Sequence, residues 1–343
     1  MSDLLNDALA RLVAGEHIDR DTAAAAMRAM MSGDVTPVRI AAFLTAMRAK
    51  GETPEEVAGF VDAMRSAALR VPGDHGDLID TCGTGGDRSD TFNISTAAAF
   101  VAAGAGLKVA KHGNRSATSK SGGADVLEAL GVRIDLPPDG AAACLDEAGI
   151  AFLFAPLYHP AVKHVAPVRR ELPFPTVFNV LGPLCNPASP AAQVLGVFRP
   201  DLQDLVAGAL ARLDSPRRAL VVHGHGGLDE ISLSGPTRVL SVDGGDIASF
   251  QIEPAALGLA PAPREALAGG DAAHNAQIVR DILAGTAPAP HSDVVMLNAA
   301  AALWVGGLAP DLATGLAQAE KALRSGAARA KLADLVRIST TFA

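Results

Sequence analysis

The chain has 343 residues, 49% of them hydrophobic, enough to bury one large core or two ordinary ones, which argues against general disorder. Its formal net charge of -8 runs against wrapping a nucleic-acid backbone, which rests on Lys and Arg. Cys82, Cys144 and Cys185 form no Cys-x-x-Cys pair, so neither a disulfide framework nor a structural zinc site is expected. The opening "MSDLLNDALARL" carries acids where a signal peptide needs bases, and no uninterrupted apolar run suits a membrane span. These features predict a soluble, cytoplasmic protein with no membrane partner.

Leu4, Leu5, Leu9, Leu12 and Val13 recur at helical spacing. Asp21 stands where it would cap a second helix through "TAAAAMRAMM", and Thr36-Pro37 places an N-cap before a first-turn proline. Thr53-Pro54-Glu55-Glu56 spells a capping box. Four helices with no strand candidate predict a small helical domain over 1–70, joined by part of 158–190. The turn-rich "ALRVPGDHGD" (68–77) reads as a linker and candidate hinge.

From there, short apolar runs alternate with Ala-rich helical patterns. Strands are expected at 78–80, 107–110, 151–155, 194–198, 219–224 and 238–242, and helices at 95–105, 124–131, 138–148 and 200–213. The alternation predicts an α/β domain over 71–343 with a mostly parallel central sheet. "FAPLYHPAVKHVAPVRREL" turns helical again and is expected to pack back on the first helices. "PAPREALAGG" and "GTAPAPHS" read as surface turns without chemistry.

Four stretches could carry chemistry. "DTCGTGGDRSDTFNIST" (80–96) runs strand, glycine-rich loop, helix, the geometry that binds phosphate on backbone N–H groups and a helix N-terminus. Its spacing is neither a Walker loop nor a complete dinucleotide fingerprint, and Asn93 also suits a plain N-cap. "KHGNRSATSKSGGAD" (111–125) again follows a strand and precedes a helix, with Lys111 and Arg115 supplying positive charge. Alone it could be a solvated loop; two such loops on one sheet would meet at the carboxyl edge around an anionic phosphate ligand. In "VVHGHGGLDEIS" (221–232), the adjacent Asp229 and Glu230 suit Mg²⁺ beside phosphates better than His223-Gly-His225 suits zinc, although such a pair is also common on a solvated surface. Arg169, on a helix, could bind a carboxylate in bidentate fashion while Arg170 faces solvent, and "LGPLCNP" reads as a turn or hinge.

Taken in order, "GTGGD", "NIST", "KHGNR", "FNVLGPLCNP", "HGHGGLDEIS" and "GGDAAHNAQIVRDILAG" resemble the anthranilate phosphoribosyltransferase family over nearly the whole chain. The resemblance implies a helical domain on a nucleoside phosphorylase/phosphoribosyltransferase-like α/β domain, a homodimer through the helices, and no nucleic-acid partner. It implies transfer of phosphoribosyl from 5-phosphoribosyl diphosphate (PRPP) to the amine of anthranilate in tryptophan biosynthesis, with two Mg²⁺ per subunit. It would place Gly83, Gly86, Asp87, Thr91, Asn93, Ile94, Ser95 and Thr96 on the diphosphate. Lys111, His112, Gly113, Asn114, Arg115, Ser116, Ala117, Thr118, Ser119 and Gly123 would lie around the phosphoribosyl group. Ser95, Asp229 and Glu230 would hold metal, and Gly83, His112, Asn114, His159 and Arg169 would meet anthranilate.

No residue stands out as the catalytic base; His112, a water molecule or the diphosphate could each accept the proton. Gly123 departs from a serine common in the family, and Pro173 and Pro175 replace an expected Gly and Arg. The alternatives are a pyrimidine nucleoside phosphorylase-like enzyme, whose usual Lys-Met-Ser loop is missing, and a non-catalytic nucleic-acid-binding paralogue, which the charge opposes.

Overall fold

The computed structural model describes residues 2–87, 89–116 and 120–342, so the expectations for Ala117, Thr118 and Ser119 fall outside the described residues. Helices α1 (Ser2–Val13), α2 (Arg20–Ser32), α3 (Pro37–Lys50) and α4 (Pro54–Ser66) come first. Asp19, not Asp21, caps α2: its backbone is extended, which frees the carboxylate to accept the Thr22 N–H at 2.8 Å. Asp21 lies inside the first turn, where its charge faces the positive end of the helix. The Thr53 box forms in full, with Glu56 N–H on Thr53 Oγ1 at 3.2 Å and Thr53 N–H on Glu56 Oε2 at 2.8 Å. Glu56 is fully buried, accepts the Ile18 N–H at 3.0 Å and pairs with Lys50 Nζ at 2.8 Å.

The sheet contains β1 (Leu78–Gly83), β2 (Lys108–Gly113), β3 (Ile150–Phe154), β4 (Ala192–Gly196), β5 (Arg218–His223), β6 (Thr237–Asp243) and β7 (Asp246–Ile252). Their order is β3-β2-β1-β4-β5-β6-β7; the first five pair in parallel and the last two antiparallel. Strand β7 was not expected from the sequence. Six of its seven residues are at least partly exposed, so it carries no apolar run, and it is held as the second arm of a hairpin turning at Gly244-Gly245.

The helices that follow are α5 (Ile94–Gly104), α6 (Gly123–Ala129), α7 (Pro138–Glu147), α8 (Ala155–Tyr158), α9 (Ala166–Glu171), α10 (Phe178–Leu184), α11 (Pro200–Leu210), α12 (Ala272–Ala284), α13 (Ala289–Val305), α14 (Leu312–Arg324) and α15 (Ala327–Ser339). One hydrophobic core joins α5, α13 and α15 to β1–β3. A second runs from α1–α4 through Val165, Val168, Phe178 and Leu181 to α11 and the apolar residues Leu195, Val221 and Leu240 of β4–β6. The helical bundle is thus packed on one side of the sheet through α9 and α10. The 68–77 segment is tied down: Leu69 N–H bonds the Tyr158 carbonyl at 2.9 Å, and buried His75 meets Asp146 at 2.8 Å.

Replacing Glu56 by Ala leaves the Lys50 ammonium, only 3% exposed, without its carboxylate. The variant should lose roughly 3–5 kcal/mol in a urea unfolding titration; a loss below about 1 kcal/mol would mean the pair does not anchor the bundle.

Candidate active site

The chain leaves β1 toward β2 and β3 on one side, then returns to β4 on the other, so the β1/β4 boundary is the topological switch point where open α/β sheets bind ligands. Gly83 ends β1 and Gly196 ends β4, and they pair directly. A side chain on either would collide with Asp229, whose backbone and carboxylate fill the space between them. Gly85 and Gly86 then take left-handed conformations, φ 64° and 85°, which turn the Gly85 N–H onto Asp229 Oδ2 at 2.8 Å.

Helix α5 starts beside this loop with Ile94 and Thr96 buried in its first turn. The Ser95 N–H donates to Glu230 Oε1 at 3.0 Å, and Ser95 Oγ accepts from Lys111 Nζ at 3.2 Å. Buried Lys111 also bonds the Thr81 carbonyl. Asn93 makes no side-chain cap; its Oδ1 accepts from Asn275 Nδ2 at 3.0 Å and its Nδ2 donates to the Ser121 carbonyl at 3.3 Å.

Asn275 escaped the sequence reading as a site residue. It is 1% exposed, also donates to Ser121 Oγ at 2.9 Å, and joins both glycine-rich loops. Its signal was a polar residue on the helix face of Ile278, Val279 and Ile282. The turns read as lacking chemistry brace the same loop. Leu267 accepts the Phe92 N–H at 3.1 Å, the Asp90 carbonyl takes the Gly269 N–H at 2.7 Å, and Thr91 bridges to Ala268. His291 packs on Phe92 with ring centroids 5.0 Å apart.

Asp87, Asp229 and Glu230 crowd together here. Burial first, then the Asp87 and Glu230 charges, push the Asp229 carboxyl well above its usual range. Burial pushes Glu230 up to about 7 although Lys111 and Ser95 oppose it. Asp87 Oδ2 is buried without a hydrogen-bond partner among the described residues. No three His, Cys, Asp or Glu side chains among the described residues are placed to enclose a metal ion, but the donor chemistry, oxygen-only with excess negative charge and the unpartnered Asp87 Oδ2, is that of a hard divalent cation.

The second loop divides. A side chain at Gly123 would come 3.2 Å from Thr96 Oγ1, placing this position against α5. Arg115 is drawn away by Asp125 at 2.7 Å and Glu128 at 2.6 Å, and Asn114 Oδ1 accepts the Arg115 N–H at 2.8 Å. Asp125 Oδ2 takes the Ser116 N–H at 3.2 Å, and Gly113 runs close against Phe152.

His112 points to α10 instead, Nδ1 lying 3.1 Å from the Gly182 carbonyl. Its ring meets that of His159 edge-on, centroids 5.2 Å apart. On the same face of α10, four residues earlier, the Arg169 guanidinium sits 4.7 Å over the Phe178 ring. Burial lowers the Arg169 pKa, and no carboxylate among the described residues pairs with it, so the group is a desolvated cation open to an anion. Arg170 is exposed, as are Pro173 and Pro175 in the following loop. "LGPLCNP" forms the end of α10 rather than a simple turn.

His223 bonds the Val197 carbonyl at 2.9 Å and His225 meets Ser234 at 3.1 Å. A cavity of about 510 Å³ opens at the opposite, amino end of β1 and β2, but its buried His75 has both ring nitrogens engaged, by Asp146 and the Pro72 carbonyl. The chemistry is gathered at the carboxyl end.

Residues 6–68 match the glycosyl transferase family helical bundle domain, and residues 75–329 match the glycosyl transferase family a/b domain. The chain is 52% identical over 333 residues to the anthranilate phosphoribosyltransferase of Moorella thermoacetica, covering 97% of this chain and 98% of that protein. It is 53% identical over 336 residues to that of Chloroflexus aggregans, covering 98% of each. The crystal structure of the Thermus thermophilus anthranilate phosphoribosyltransferase superposes with a TM-score of 0.92 at 45% identity, over 97% of this chain and 99% of that one. The Saccharomyces cerevisiae enzyme in complex with PRPP and Mg gives 0.91 at 29% identity, over 99% of each chain.

Glu230 has a folded-state pKa of about 7, above its ordinary 4.5. The folded protein therefore holds more protons than the unfolded chain between these values, and stability falls as pH rises through them. In metal-free buffer Glu230→Gln should be more stable than wild type by on the order of 1–3 kcal/mol at about pH 8, the difference fading by about pH 5. Denaturant titrations at both pH values check this.

Proposed function

This chain belongs to the anthranilate phosphoribosyltransferase family, and from that premise we propose how its residues divide the work. The reaction moves phosphoribosyl from PRPP to the amine of anthranilate, giving N-(5-phosphoribosyl)anthranilate and diphosphate, a step of tryptophan biosynthesis. The observation that carries the division is the polarity of the site: crowded carboxylates on the β1/β4 side, a desolvated guanidinium and two imidazoles on the α10 side.

Diphosphate is assigned to the backbone at Gly83, Gly86 and Asp87 and to the start of α5 at Ile94, Ser95 and Thr96, where the helix dipole favours an anion. Thr91 and Asn93 shape this loop through Ala268 and Asn275. Ser95, Asp229 and Glu230, with Asp87 beside them, would hold Mg²⁺, two ions per subunit. When bound, Mg²⁺ takes up charge on the departing diphosphate. Lys111 holds Ser95 in place and offsets the charge of Glu230. Gly113, Asn114, Ser116 and Gly123 line the phosphoribosyl side, which Arg115 reaches by leaving Asp125 and Glu128.

Anthranilate is assigned to Arg169 through its carboxylate, with Gly83, His112, Asn114 and His159 around the ring. An arylamine lone pair is free at neutral pH, so attack on ribose C1 needs position more than a base, through an oxocarbenium-like transition state. Exposed Leu4 and Val13 on α1 and Val38 on α3 support a homodimer through the helical part. A cytoplasmic location is proposed from membership of a biosynthetic enzyme family; no helix among the described residues is long and apolar enough to cross a membrane.

Mixing the protein with anthranilate, PRPP and Mg²⁺ should extinguish anthranilate fluorescence as product forms; a constant signal at saturating substrates would refute the assigned reaction. Arg169→Ala should raise KM for anthranilate by about tenfold or more, leaving KM for PRPP within about twofold. Equal rises in initial-rate measurements would remove Arg169 from the carboxylate.

A further inference from the structure

The chain ends α10 with Pro183 inside its last turn and Cys185 as its cap. Three successive carbonyl oxygens there each accept a hydrogen bond from a side chain of a different segment. Gly182 accepts from His112 Nδ1 of β2 at 3.1 Å, and Pro183 from Gln193 Nε2 of β4 at 2.8 Å. Leu184 accepts from Arg65 Nε and Nη2 of α4 at 2.9 and 2.6 Å. Side chains thus satisfy a helix end that the broken ladder leaves open.

A carbonyl oxygen only accepts, so the ring nitrogen bonded to it carries the hydrogen, and a neutral imidazole has just one. His112 therefore bonds through Nδ1–H and leaves Nε2 a bare lone pair. The Nε2 atoms of His112 and His159 are both buried, and neither has a hydrogen-bond partner among the described residues. Burial, with the His159 ring and the Arg65 and Lys111 charges, lowers the His112 pKa to about 3; burial lowers that of His159 to about 4. Both rings are neutral at ordinary pH. A buried acceptor left without a donor, as at His112 Nε2, is costly, and a donor supplied from outside would satisfy it.

We infer that the end of α10 is a tautomer lock: the Gly182 carbonyl holds the His112 imidazole with Nε2 bare, as an acceptor for an N–H group of the amine substrate. Arg65 is the positioning residue. It makes no hydrogen bond to the His112 ring, but grips Leu184, two residues beyond the locking carbonyl, and ties that turn to the helical bundle. The identity of the donor rests on the proposed function; the lock itself does not. The arrangement also gives the bundle a part in acceptor binding, since α4 contributes no residue assigned to either substrate.

Two experiments test this. Full-length protein labelled with ¹⁵N-histidine, without substrate, is examined by two-bond ¹H–¹⁵N correlation, with His112→Asn and His159→Asn identifying the two rings. His112 should show the Nδ1–H form; an Nε2–H form there would overturn the lock whatever the turnover assay returns. In the second, Arg65→Met should raise KM for anthranilate about tenfold, leave KM for PRPP within about twofold, and add a second tautomer at His112. Arg65→Lys, which keeps one donor for Leu184, should recover part of the loss. Equal rises in both KM values, or an unchanged KM for anthranilate, would overturn the role of Arg65. If Arg65→Met does not fold, the lysine variant and the wild-type spectra still decide.

Discussion

Like charges held close in a low-dielectric crevice repel, and here Asp87, Asp229 and Glu230 are held close by the backbone itself. Much around them follows from that constraint. Gly83 and Gly196 have no side chains because Asp229 occupies their space. The Gly85 N–H, the N-terminus of α5 and the buried ammonium of Lys111 all turn positive charge toward the cluster. These groups offset only part of the burial penalty and of the repulsion added to it, since both the Asp229 and the Glu230 carboxyls remain shifted upward. A site that is under-neutralised when empty gains most from a cation, and a cation-loaded carboxylate cluster can receive a diphosphate that bare carboxylates would repel.

The two poles are mechanically linked through Asp80. Its fully buried carboxylate sits in β1 and accepts the His112 N–H of β2 at 3.3 Å and Asn186 Nδ2 at 2.9 Å. Asn186 in turn donates to the Ala110 carbonyl at 2.8 Å. The strand that ends in the glycine-rich loop is therefore bonded to the strand carrying Lys111 and to the turn after α10. Burial raises the Asp80 carboxyl, while Lys111 and these donors work to keep it ionised. Such a network is rigid only when fully satisfied, which fits its place between the groups assigned to the two substrates.

What the sequence revealed was local. The glycine-rich loop after β1, the Lys111–Arg115 stretch after β2 and the capping box at Thr53 each announce themselves within a few residues. What it hid depends on partners far along the chain. Asn275 lies 182 positions from the Asn93 it supports, and Arg65 lies 119 from Leu184. Strand β7 has too few buried side chains to leave a pattern, and the Asp19 cap was missed by two positions because two acids compete for one helix end. Arg115 looked like a phosphate ligand because its charge is visible, whereas the Asp125 and Glu128 carboxylates that hold it become neighbours only when α6 folds. Charge is readable one residue at a time; its neutralisation is not.

The low basicity of the two histidines bears on the missing catalytic base. An imidazole with a pKa of about 3 is a weak proton acceptor, and at neutral pH it is unprotonated. A strong base would add little, because the arylamine attacks through a lone pair it already has. The proton becomes acidic only after the nitrogen has bonded to ribose C1 and carries positive charge. Under the proposed assignment, a weak, bare Nε2 would suit that late step: it would accept an N–H hydrogen bond throughout, and proton transfer would become favourable as charge develops on nitrogen. A histidine of ordinary pKa would be partly protonated at neutral pH and would present an N–H to the amine where an acceptor is needed. The burial that depresses the His112 pKa would then serve the chemistry, and the Gly182 carbonyl at the end of α10 decides which of its nitrogens is left bare.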